Sequence, residues 1–246
     1  METDQLAVVL KDVTKRMRER VILDRLTFTV SRGEIFVLAG PNGAGKTTSM
    51  RIIVGLLRRD SGLVRVLGVD PESGGWGRVK MRIGYLPEDA RVYERLTGME
   101  NIIFYARLYS RSREELESMV ARAIAITGLS RADLERRAGY YSKGMKRRLL
   151  LAITMMHDPD LLILDEPTSG LDVVSSYHIK RLLREAASRG KTVIVTTHDL
   201  KDAEILGDTI AFMSSGRIIF KGTVSQALDE YSAESLEEAY VRAVSG

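Results

Sequence analysis

The chain has 246 residues, 37 Lys+Arg against 33 Asp+Glu, and no cysteine. At ~150 residues per domain this is one large domain or a core with a subdomain. The hydrophobic (44%) and charged (28%) fractions exclude wholesale disorder, and zero Cys excludes disulfides, thiolate metal sites and a Cys nucleophile. The net charge of +4 permits nucleic acid, an anionic membrane surface or a phosphorylated ligand. No apolar run approaches the roughly 20 residues that span a bilayer. Residues 1–4 lack the basic-then-apolar layout of a signal peptide. The chain therefore reads as cytoplasmic, with any membrane role exerted through a partner.

In chain order, residues 6–10 and 26–30 read as short strands separated by the charged stretch 15–20. Residues 34–39 form a continuous apolar run before a Gly-rich loop, the look of a strand buried on both faces of a parallel sheet. A helix-compatible run follows at 49–54, and residues 63–67 read as another strand. From about 95 to 158 the pattern turns helical. Thr97 with Glu100, and Ser112 with Glu115, have capping-box spacing, and Gly128 reads as a helix stop. Strand and helix then alternate: strand 161–164, helix 174–187, strand 192–196, a hairpin of 210–213 with 217–221, and two short acidic helices. This order predicts an α/β core with an inserted helical subdomain.

Gly40-Pro41-Asn42-Gly43-Ala44-Gly45-Lys46-Thr47-Thr48 matches GxxxxGK[ST] between a buried strand and a helix. The glycines let consecutive N–H groups turn around phosphate oxygens, and the helix start adds its positive dipole end. Lys46 is then placed at the β- and γ-phosphates and the Thr47 hydroxyl on Mg2+. Residues 161–164 are four aliphatics followed by Asp165 and Glu166. A strand of this kind beside the phosphate-loop strand brings Asp165 to the Mg2+ side and Glu166 to where a carboxylate polarises an attacking water. The NKxD and DxxG patterns of a GTPase are absent.

Three further segments follow in order. Tyr140-Tyr141-Ser142-Lys143-Gly144-Met145 precedes an apolar helix, Ser169-Gly170-Leu171-Asp172 follows the acidic pair, and Thr196-Thr197-His198-Asp199 follows an apolar strand. In this order and spacing, the chain from about Leu6 to Val241 resembles the nucleotide-binding ATPase subunit of an ABC transporter. The Tyr-Ser-Lys-Gly-Met form resembles the exporter-type subfamily whose permeases are separate chains.

The resemblance implies a P-loop NTPase (RecA-like) core with a mainly parallel sheet, an N-terminal antiparallel β-subdomain and an inserted α-helical subdomain. It implies one cassette over 1–246, with 1–90 and 159–246 as core and 91–158 helical. It also implies an ATPase with ATP and Mg2+, and a head-to-tail homodimer in which the phosphate loop of one subunit faces residues 142–145 of the other. By the same resemblance Ser142, Lys143, Gly144 and Met145 contact ATP in trans, Asp172 joins the two sites, and His198 meets the γ-phosphate and water. The partner is an integral-membrane permease holding the subunit at the inner face of the membrane, with no nucleic acid expected.

The sequence departs from the family pattern in places. Met17 stands where an aromatic usually stacks on adenine, with Ile22 in the same apolar wall; Met can still pack on a base through its polarizable sulfur. Glu88 stands where Gln usually reaches Mg2+, and Lys143 replaces a glycine. Tyr93 and Tyr105 read as permease contacts, whereas Leu96 and Met99 read as packed inside the helical block. Lys143, Lys146, Arg147 and Arg148 read as nucleotide-facing or solvated. Two readings compete with the transporter: a soluble ABC-type ATPase acting on ribosome or nucleic acid, and a non-hydrolysing ATP-binding module.

Overall fold

The computed structural model describes residues 5–245. Residues 1–4, on which the signal-peptide reading fell, and Gly246 lie outside the described residues. The chain opens with β1 (Leu6–Met17) and β2 (Arg20–Ser31), then β3 (Ile35–Ala39), α1 (Lys46–Ile53) and β4 (Ser61–Val66). Next come α2 (Trp76–Lys80), β5 (Ile83–Leu86), α3 (Gly98–Tyr109), α4 (Arg113–Thr127), α5 (Arg131–Glu135) and α6 (Lys143–Met155). The remainder is β6 (Leu161–Asp165), α7 (Val173–Ser188), β7 (Thr192–Thr197), α8 (Leu200–Leu206), β8 (Thr209–Ser214), β9 (Arg217–Gly222), α9 (Val224–Glu230) and α10 (Leu236–Ser245).

The main sheet has the order β5-β6-β7-β3-β8-β9 and is parallel except for β9. A smaller antiparallel sheet has the order β2-β1-β4. Every residue of β3, β6 and β7 is buried. Phe36 and Leu38 join the cluster beneath the antiparallel sheet, whereas Ile35, Val37 and Ala39 join the cluster shared with the helices. The period-2 alternation thus feeds two cores at once, which requires both faces to be apolar.

The charged stretch 15–20 is not a linker outside the sheet, because β1 and β2 both extend into it. It is the tip of one long hairpin, with Lys15 opposite Leu23 and Met17 opposite Arg20. The hairpin outgrows its core here, so both faces near the tip are wet and the alternation signal disappears. Lys15 is held by Asp60 at 2.8 Å.

The helical block is organised by its caps. Thr97 and Glu100 form a complete capping box on α3. Ser112 accepts from the Glu115 N–H, but the Glu115 carboxylate accepts from the Arg111 N–H, so the second arm is displaced by one residue. Gly128 ends α4 at φ 56. Helix α6 joins the block to the sheet: Leu149 and Leu151 share a cluster with Ile102 and Met119 of the helices and with Leu162 and Leu164 of β6. Met99 packs against that cluster and Leu96 is half-buried.

One expected neighbour relation is wrong. Strand β6 does not lie beside the phosphate-loop strand, because β7 is inserted between them. The strands still point the same way, so the ends of β3, β6 and β7 emerge on one edge, where α/β sheets place their ligands.

Candidate nucleotide-binding site

The loop after β3 turns into α1 at Gly45, whose φ of 109 is open to glycine alone without strain. A Cβ there would press on Leu23 and Met213 side-chain carbons at 2.8 Å. At Gly40 a Cβ would collide with the Met213 carbonyl oxygen, so β8 backs directly onto the loop. The Gly40 N–H donates to Thr197 O at 3.2 Å, and Ala44 O accepts from the Gly216 N–H at 3.0 Å. The loop is therefore pinned from behind by β7 and the β8–β9 turn.

Its open side is built for an anion. Helix α1 has no side-chain cap, and its first intrahelical bond is Ser49 N–H to Gly45 O. The N–H groups of Lys46, Thr47 and Thr48 thus have no carbonyl a turn earlier to bond, and they point where the helix dipole favours negative charge. They border a cleft of ≈ 380 Å3 lined by Met17, Ile22, Asn42, Gly43, Gly45, Lys46, Thr47, Thr48, Glu88 and Glu166. Met17 is 40% exposed there.

Lys46 is buried, and its ammonium donates to Gly40 O at 2.7 Å and Pro41 O at 3.2 Å. It lies 3.5 Å from Glu166 Oε1. Glu166 adopts φ +48, a left-handed conformation costing a non-glycine residue about 1–3 kcal/mol. The surroundings hold it there. The Glu166 N–H donates to the Thr196 carbonyl and hydroxyl, each at 3.1 Å. His198 Nδ1 lies 2.9 Å from Glu166 Oε2. A carboxylate oxygen accepts, so this contact is a hydrogen bond in the tautomer with the proton on Nδ1. Asp165 Oδ1 accepts from the Thr196 hydroxyl, and its buried Oδ2 has no hydrogen-bond partner.

That orphaned oxygen tests whether Mg2+ fits. Among the described residues no group of three or more His, Asp or Glu gathers as a metal site. Mg2+ in a phosphate site needs only one or two protein oxygens, the rest coming from phosphates and water. Asp165 Oδ2 and the Thr47 hydroxyl suit that role, and the carboxylate of the exposed Glu88 borders the same cleft.

Residues 142–145 lie outside this cleft. Ser142 caps α6 by accepting from the Met145 N–H at 3.2 Å and is exposed. Gly144 packs so closely on α7 that a Cβ would collide with Ser175 Oγ. Asp172 caps α7 through the Ser175 N–H at 2.9 Å and hydroxyl at 2.7 Å. That N–H is the leading reason its carboxyl is held below the usual carboxylate range. Lys143 lies against Gly170 and lines a neighbouring cavity with Glu88 and Glu166.

The basic cluster divides. Lys146 pairs with Glu94 at 2.6 Å. Arg147 is neither nucleotide-facing nor solvated: it is buried, and its guanidinium donates to the carbonyls of Asp165, Glu166 and Pro167. The sequence contains the signal for this, since Arg147 is three residues after Gly144 and four before Leu151, on the core face of α6. Thr196, quoted in the sequence only as part of the segment ending at Asp199, is one of three threonines in β7, and its hydroxyl bonds both Asp165 and the Glu166 N–H.

With this geometry in view, the comparisons with known proteins are consistent with one another. The ABC transporter family model matches residues 23–169, and the chain belongs to this family, as an ATP-binding cassette. It is 36% identical to the Nod factor export ATP-binding protein I of Bradyrhizobium diazoefficiens, over 98% of this chain and 78% of that protein. It is 43% identical to a fluoroquinolones export ATP-binding protein of Mycobacterium tuberculosis, over 79% of this chain and 62% of that one. Among solved structures, the ATP-binding subunit of an ABC transporter superposes with a TM-score of 0.85 at 29% identity, covering 97% of this chain and 99% of that one. A dimeric ATP-binding cassette in a post-hydrolysis state with ADP and Pi gives 0.78 at 25% identity, covering 88% and 98%. ABC ATP-binding domains bind ATP and are ATPases in general.

Proposed function

We propose that this chain hydrolyses Mg-ATP to power export through a separate integral-membrane permease. The observation that carries the reading is the Lys46–Glu166–His198 constellation at the uncapped start of α1. The loop N–H groups and Lys46 hold the triphosphate, and Met17 and Ile22 offer an apolar wall to the base. Asp165, Thr47 and Glu88 would hold Mg2+, which supplies charge neutralisation at the β- and γ-phosphates when bound. Glu166, oriented by the His198 Nδ1–H, directs the attacking water.

The N-terminal end of α6, where Ser142 and Lys143 are exposed, would turn Ser142, Lys143, Gly144 and Met145 to the γ-phosphate of a second copy, with the Lys143 and Gly144 N–H groups at the helix start. Two facts support this arrangement: these residues do not line the chain's own cleft, and a similar cassette is dimeric. Asp172 sits beside them at the start of α7. The exporter assignment is supported by the names of the relatives. No helix among the described residues is long and apolar enough to cross a membrane, so the membrane pathway is assigned to a partner at the inner face. An exposed patch suits its contact: Tyr93 meets Phe104 edge-on at 5.1 Å and stacks on Tyr105 at 5.9 Å.

The test is Glu166→Gln. Steady-state turnover should fall about 100-fold or more, the range lost with a general base. ATP should still bind, and an ATP-bound dimer should accumulate on size-exclusion chromatography. Undiminished turnover would remove Glu166 from the mechanism.

A further inference from the structure

Arg147 is a buried cation whose hydrogen bonds go to backbone carbonyls. Nη2 donates to Asp165 O at 2.9 Å and Glu166 O at 2.8 Å, and Nε donates to Pro167 O at 2.9 Å. Its side chain leaves α6 one turn after Gly144, which is packed against Ser175 of α7. Its targets are three consecutive peptides, and the central residue is held at φ +48. A guanidinium presents its donors in a rigid planar fork. One fork thus spans the bend at the end of β6 and fixes the direction in which Glu166 leaves it. The hydrogen bonds go to carbonyls, so the clamp orients the backbone, while the buried charge also acts at a distance on the Asp165, Glu88 and Glu166 carboxylates.

We infer that Arg147 is a positioning residue for hydrolysis, tying the segment that begins at Ser142 to the backbone of Glu166. Movement of the α6 N-terminus is transmitted through the fork to the Glu166 carboxylate, the group that directs the attacking water. This rests on the reading of Glu166 as the group that directs water. The clamp acts within one chain, so it makes each glutamate answer to its own residues 142–145 as well as to its own phosphate loop.

The experiment is ATP hydrolysis by the full chain with Arg147→Met, Arg147→Lys, Glu166→Gln and the double variant Arg147→Met/Glu166→Gln. Arg147→Met keeps the apolar stem and removes the donors. Its kcat should fall about tenfold or more while KM for ATP stays within about threefold, the signature of an interaction used only on the way to the transition state. Arg147→Lys should recover part of the loss. In single-turnover measurements the double variant should be no slower than Glu166→Gln within about twofold, because both changes act through one group.

An unchanged kcat in Arg147→Met overturns the proposal, as does a raised KM at unchanged kcat, or a double variant slower by the full Arg147→Met factor. Should Arg147→Met not fold, Arg147→Lys decides by the same kcat and KM criteria. Undiminished turnover in Glu166→Gln would overturn the reading of Glu166 itself. A dead Glu166→Gln beside a fully active Arg147→Met would overturn only the role given to Arg147.

Discussion

Lys46 and Glu166 are 3.5 Å apart and both nearly sealed from solvent, so each compensates the other's buried charge before nucleotide arrives. Lys46→Ala should cost at least about tenfold in nucleotide affinity through loss of the only loop cation, since charge-assisted contacts contribute about 1.5–3 kcal/mol. It also leaves Glu166 Oε1 buried without a counter-ion. A fluorescent-nucleotide titration checks the affinity, and unchanged binding would contradict the phosphate-loop assignment. At this scale the sequence is legible where chemistry is local: the loop glycines and Lys46 lie within one short segment, Gly40 to Lys46. It is read badly where partners are remote, as with Arg147, whose targets are 18 to 20 residues away.

At the scale of elements, α6 and α7 meet through the smallest residue available. A Cβ at Gly144 would lie 2.8 Å from Ser175 Cβ and nearer still to its Oγ. Gly144→Ala should therefore push the start of α6 off α7. Overpacking of this kind costs about 1–3 kcal/mol, or a melting temperature about 2–4 °C lower per kcal/mol in a chain of this size. Hydrolysis should fall with it, and Ser175→Ala in the same chain should restore part of both. Thermal melts and ATPase assays compare the three variants; a Gly144→Ala chain as stable and active as the parent contradicts the packing argument. In the sequence, Gly144 reads only as part of the segment that the resemblance places against ATP in trans. Its tight seat on α7 became visible only when the two helices were brought together.

At the scale of the whole molecule, His157 lies at the junction of helical block and sheet. Its Nε2 donates to Ile83 O at 3.2 Å, its ring stacks on Tyr109 at 4.6 Å, and its Nδ1 is buried without a partner. Burial holds its pKa below the ordinary histidine value, with Asp158 opposing and Arg122 and Lys191 assisting. The sign follows from linkage. Above about pH 6.5 the ring is neutral in both states, and its burial carries no proton penalty. As pH falls, the unfolded chain takes up a proton that the folded chain resists, so stability drops until pH passes the lowered folded pKa. His157→Gln removes the titration, and its melting temperature should fall less than the parent's between pH 7.5 and 5.5. Parallel slopes would mean that His157 does not contribute.

The sequence by itself determined the strands buried on both faces, the caps of the helical block, the order of the motifs and, through them, the family. These features rest on neighbours within one turn, one strand or one loop, so composition and spacing carry them. Only the tertiary structure decided that β7 separates β6 from β3, that residues 15–20 form a hairpin tip, and that Arg147 grips the Glu166 backbone. Strand order, pairing beyond the core and the targets of a buried cation depend on contacts between distant segments. Short-range periodicity carries no term for such contacts, because strands in either order satisfy the same apolar pattern.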